Sequence, residues 1–117
     1  MDIAKYKPMI DETITGMLEY MAELEECAYS KKDVIKCETI LTQYLDALAV
    51  LDTPTDKDIL KCVKKCVVAL NKLSEKTDYE MIESVERDNI CEIIQTAAEE
   101  CGLNDASEDV TEEWREW

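Results

Sequence analysis

The residues with chemical potential in this 117-residue chain are six cysteines (Cys27, Cys37, Cys62, Cys66, Cys91 and Cys101) and 28 Asp plus Glu; histidine is absent. Without imidazole, Ser-His-Asp and Cys-His activation of a nucleophile are excluded, as is the Glu-x-x-His ligand pair of a di-iron or di-manganese helical protein. Thiolate metal sites need Cys-x-x-Cys knuckles or Cys/His sets. The closest pair, Cys62 and Cys66, is spaced by four, which equally sets two small apolar side chains on one helical face. Lys61, Lys64 and Lys65 stand near that pair and could lower a thiol pKa, but on a helix Lys64 and Lys65 need not face either sulfur. Every cysteine lies three or four residues from an aliphatic partner, as Cys27 does from Leu24 and Cys101 from Ala97. Reduced, buried thiols acting as small hydrophobes are therefore expected, with no metal and no cofactor.

The carboxylates offer one loop pattern. Asp105, Ser107, Asp109, Thr111, Glu113 and Glu116 fall at positions 1, 3, 5, 7, 9 and 12 of a calcium-binding loop. Val110, however, takes the place where the sharp turn requires Gly, and no exit helix follows Glu116. A solvated acidic segment is the expectation. The opening MDIAKYKPMIDETI has acids among its first residues and no apolar core, unlike a secretory signal. No apolar run approaches the ~18 residues of a membrane span. A cytoplasmic protein with reduced thiols is expected.

These groups must be carried by helices. Gly and Pro each occur twice, which favours long helices over many short strands. A chain of this length buries roughly two-thirds of its unfolded surface, enough for a single core. The spacing predicts a first helix over 8–29, with Ile10, Ile14, Met17, Met21, Leu24 and Ala28 on one face and an acidic, base-free polar face of Asp11, Glu12, Glu19, Glu23, Glu25 and Glu26. Gly16 interrupts it, at a cost of up to ~1 kcal/mol relative to Ala, and would permit a close crossing. After a Ser30-Lys31-Lys32 connector, a second helix is predicted over 33–51, its stripe of Val34, Cys37, Leu41, Tyr44, Leu45, Leu48 and Leu51 widened by Ile35, Ile40 and Val50. Pro54 ends it. Thr55 with Asp58 resembles a capping box and opens a third helix over 56–75 with a lysine-rich polar face. Tyr79, Met81 and Ile82 are expected to lie over the core. A fourth helix begins near its N-cap Ser84 and stops at Gly102. The predicted fold is all-α, a four-helix antiparallel bundle over 1–102, followed by an acidic segment 103–117 that forms a short C-terminal helix or acidic tail docked on the bundle. In that segment Val110, Trp114 and Trp117 share one helical face, and Asp109 with Glu112 reads as a capping-box variant.

The formal net charge is −15, too negative for a nucleic-acid binder. It is also uneven, being −3 over residues 1–77 and −12 over 78–117. Such a field steers cationic partners, and Trp is enriched at interface hot spots. The basic face of the third helix is expected to offset part of it if it lies beside the fourth. The expected function is a non-enzymatic interaction module, an immunity- or antitoxin-like inhibitor of a basic protein such as a toxin. The expected contact residues are Glu92, Glu99, Glu100, Asp105, Glu108, Asp109, Glu112, Glu113, Trp114, Glu116 and Trp117. In size, helical pattern and acidity, and by no motif, the chain is similar to colicin-type immunity proteins, so the resemblance assigns no residue a role. The alternative is a self-associating structural or adaptor bundle, a homodimer whose acidity serves solubility; a cation-responsive protein is a third reading. Neither nucleic acid nor membrane is an expected partner.

Overall fold

Two capping boxes open the helices that hold most of the core. Ser30 Oγ accepts the Asp33 N–H while the Asp33 carboxylate accepts the Ser30 N–H, and Thr55 and Asp58 make the same reciprocal pair. Each box satisfies donors that a helix start otherwise leaves open. The computed structural model describes residues 1–104 and 109–117. It contains a 3-10 turn at Ile3–Tyr6 and four helices, α1 (Lys7–Glu23), α2 (Lys31–Ala49), α3 (Asp56–Lys76) and α4 (Ser84–Glu100), with no strand among the described residues. No helix of the described residues is long and apolar enough to cross a membrane.

Three boundaries differ from the sequence expectation. The first helix stops at Glu23, with Leu24 extended, although the apolar spacing continues to Ala28. Glu23, Glu25 and Glu26 would crowd the negative end of the helix dipole with no base to offset them. Tyr29 is instead buried outside the helix, its hydroxyl donating to the Met17 carbonyl at 2.9 Å. Ser30 is the cap of α2 rather than part of a connector. Ser84 is the first residue of α4, behind an extended Glu83 that makes no side-chain cap. The widening of the α2 stripe is also partial: Ile40 is buried, but Ile35 is 50% and Val50 80% exposed.

The core is built from Ile10 and Met17 of α1, Val34, Leu41, Leu45 and Leu48 of α2, Ile59, Val63, Val67 and Leu70 of α3, and Ile90, Ile93, Ile94 and Ala97 of α4. Met81 and Ile82 close it from the loop after α3, whereas Tyr79 is exposed. The broadest helix contact is α2 on α3; α1 lies against both α2 and α4, and α3 meets α4 less extensively. Tyr6 meets Glu100 and Gly16 meets Glu86, so positions ascend along α1 as they descend along α4. The buried Tyr44 hydroxyl ties α2 to the Ile94 carbonyl at 2.8 Å.

Burial pushes the Asp33 carboxyl up, but the Ser30 N–H and Lys76, whose Nζ is 3.0 Å away, outweigh it and hold the group below its ordinary value. Asp33→Ala should destabilise the protein by about 1–3 kcal/mol at neutral pH through the lost cap and charge-assisted hydrogen bond. A depressed carboxyl contributes stability that is present above its unfolded pKa and lost as pH falls through the folded one. Denaturant midpoints of wild type and variant should therefore approach each other as pH falls from about 5 to below about 3. A gap of constant size across that range would contradict the assignment.

Candidate protein-interaction surface

The packing sorts the charge into two layers. Helix α1 brings Asp11, Glu12, Glu19 and Glu23 against a single base, Lys7, and its neighbour α4 brings Glu86, Asp88, Glu92, Glu99 and Glu100 against Arg87. Helix α2 is balanced, and α3 carries Lys57, Lys61, Lys64, Lys65, Lys72 and Lys76 against three acids. The expected offset of α4 by α3 is not made through ion pairs: among the described residues no α3 lysine reaches an α4 carboxylate, and Lys76 pairs with Asp33 of α2. One side of the molecule is therefore strongly acidic and the α3 side basic.

The described residues after Gly102, whose φ of 102° supplies the left-handed stop, bond to both α3 and α4. Asn104 N–H donates to Asp56, Val110 N–H to Gln95 Oε1 at 2.8 Å, and Arg115 Nη1 lies 3.1 Å from Cys91 Sγ. The buried Asn71 of α3 grips the main chain twice, its Nδ2 donating to the Trp114 carbonyl at 2.7 Å and its Oδ1 accepting the Glu116 N–H at 2.9 Å. These bonds divert the backbone, so residues 110–114 form a turn and not a continuing helix. Asp109 accordingly does not make the expected capping box. Its carboxylate accepts the Thr111 N–H and hydroxyl and pairs with Arg115 at 3.3 Å, an Asx-type turn. Val110 is buried, and Trp114 and Trp117 are half-buried against the core, with the Arg115 guanidinium 5.5 Å from the Trp117 ring centre.

The described contact residues differ in their surroundings. Glu92 and Asp109 share a cleft of about 570 Å³ with Asp88, Cys91, Gln95 and both arginines of the last third, Arg87 and Arg115, so this part is partly self-neutralised. Glu99, Glu112, Glu113 and Glu116 are exposed. Glu100 serves the fold: the Tyr6 hydroxyl donates to it and Lys5 Nζ is 3.0 Å away, which hold its carboxyl below the ordinary value. Asp105 and Glu108 lie outside the described residues, as does Ser107 of the calcium-loop pattern. Among the described residues no three Cys, Asp or Glu side chains come together as a metal site.

All six cysteines are free; Cys37 and Cys66 are buried and the others half-buried. Burial pushes the Cys37 thiol up to about 12, and burial also raises Cys66. At Cys62 burial outweighs the nearby Lys65, and at Cys91 it outweighs Thr111 and Arg115, so both are raised as well. None of these four has the depressed pKa of a reactive thiol.

No protein-family model, curated protein or solved structure matches this chain. The acidic layer includes residues that sequence reasoning left out of the site: Glu19 and Glu23 of α1, Glu83 before α4, and Glu86, which is only 8% exposed. The base-free polar face of the first helix was the signal for Glu19 and Glu23. Which helix would lie beside it was not written in the spacing.

Asn71→Ala removes both bonds that hold residues 114–116. It should cost about 1–3 kcal/mol and shift tryptophan emission toward that of free Trp, since both tryptophans sit in the segment Asn71 anchors. An unchanged native spectrum would show that apolar contact alone docks the segment.

Proposed function

We propose that this protein is a non-enzymatic interaction module, an immunity- or antitoxin-like inhibitor that binds a basic protein, such as a toxin, in the cytoplasm. Its scaffold on this reading is an antiparallel four-helix bundle over residues 1–102, with segment 103–117 as part of the contact surface. The observation that carries the reading is the sorting of charge: two acidic helices share a layer, and the acidic segment lies against one of them. A single-signed surface raises encounter rates with an oppositely charged partner and disfavours others. The exposed Glu92 and Glu99 of α4 and Glu112, Glu113 and Glu116 of the segment supply charge. The half-buried Trp114 and Trp117 supply apolar contact at the edge of that field.

The fourfold variant Glu92→Gln, Glu99→Gln, Glu112→Gln, Glu113→Gln tests this directly. Immobilised wild type should retain a basic protein from host lysate at low salt and release it as salt is raised, because exposed charges are screened. The variant should retain it at least about tenfold less well, while Asp46→Asn on the balanced helix α2 should behave as wild type. Equal retention by all three proteins, or retention that ignores salt, would contradict the reading.

A further inference from the structure

Among the described residues Glu86 is the one buried acid of the acidic layer. It is 8% exposed, among the described residues no hydrogen bond or ion pair reaches it, and its oxygens, which are not among the fully buried unsatisfied atoms, keep access to the clefts it lines. It stands in the first turn of α4, where the helix dipole favours a negative charge, but it does not close a cap there. Its carboxylate is directed at the gap left by Gly16: a Cβ on that glycine would stand 2.9 Å from Glu86 Oε1. Two clefts along the α1–α4 seam, of about 510 and 450 Å³, share Gly16, Glu19, Val85 and Glu86 in their linings. Around Glu86 the two clefts are lined by Asp11, Glu12, Glu19, Glu23 and Glu83, and among the described residues no Lys or Arg lines them. Lys7 is engaged with Asp11 at their rim at 3.6 Å. Tyr20 and Val85 provide the apolar wall, 37% and 68% exposed.

We infer that this groove is a binding site for an arginine side chain of a basic protein segment, with Glu86 as its anchor. The inference deepens the proposed function and rests on it, because it names the chemistry of the basic partner. It also moves the anchor away from the C-terminal segment. A guanidinium is planar, carries a fork of donors matched to a carboxylate, is weakly hydrated, and stacks on aromatic faces such as Tyr20. A lysine ammonium is a strongly hydrated point charge that gains less in a notch walled by Tyr and Val. The five surrounding acids concentrate cations at the groove, and Glu86 selects among them by depth and geometry.

The probe is a capped peptide with three arginines spaced by glycine, and its lysine counterpart, titrated calorimetrically into the full chain at low salt. The arginine peptide should bind saturably and at least fivefold tighter than the lysine peptide. Glu86→Gln should weaken it at least tenfold, while Asp46→Asn changes it less than twofold. Gly16→Ala places a methyl group in the notch, and Ala is the better helix former. It should reproduce the loss with the fold intact by circular dichroism, which keeps the test valid should Glu86→Gln fold poorly. Equal affinity for the two peptides, or wild-type affinity in both variants, would overturn the assignment. If the Glu112→Gln, Glu113→Gln double variant loses the peptide while Glu86→Gln and Gly16→Ala keep it, the groove is wrong although the acidic-surface reading survives.

Discussion

Everything in this molecule depends on α1 and α4, two helices of the same charge sign, burying their apolar faces in one core. The magnitudes say why this is tolerated. Two exposed like charges about 10 Å apart repel by only ~0.4 kcal/mol in water, and less with salt. Each aliphatic side chain taken out of water contributes ~1.5–3 kcal/mol. Met17, Ile90, Ile93 and Ile94 are fully buried, so the apolar term dominates the pairing and the carboxylates are carried along with it. The acidic layer is thus a consequence of the packing, and its repulsion remains available for relief by a cationic partner.

A second constraint acts at the far end of the chain. The segment bearing both tryptophans is held by two bonds to the buried amide of Asn71, by Gln95 at the Val110 N–H, and by the contact of Arg115 with Cys91, while Arg115 also pairs with Asp109 inside the segment. Those contacts consume one of the two bases of the last third and leave Glu112, Glu113 and Glu116 facing water. Docking therefore sharpens the acidity of the surface instead of hiding it. Among the described residues it also leaves the Trp117 indole N–H buried without a partner, which costs the desolvation of that group.

How much of this was legible in the sequence follows from what each signal measures. Apolar periodicity reports a buried stripe, and it found all four helices and most of the core. The Thr55/Asp58 box was readable because a proline break preceded it. The identical Ser30/Asp33 box was passed over as a connector because two lysines follow it. The end of α1 was missed because Leu24 and Ala28 keep the spacing while the carboxylates around them oppose the dipole. Ile35 and Val50 extend the α2 pattern but face water, since a stripe has a finite width that composition does not give. The site was half legible. The acidity of α4 and of the segment was plain, but the contribution of α1 depended on which helix neighbours which. Four similar apolar stripes do not encode that order locally. Gly16 was flagged as a close crossing, and what it approaches is a carboxylate seventy residues later.

The central claim is that the fold separates its charge into an acidic α1–α4 layer and a basic α3 face. It is tested most directly by amide-proton relaxation in the presence of a cationic, a neutral and an anionic nitroxide cosolute of equal size. The ratio of cationic to anionic enhancement reports the local potential at each exposed amide. The account predicts the largest ratios at α1, α4 and residues 112–116, and the lowest along α3. A ratio that is uniform over the surface, or as high on α3 as on α1, would contradict it.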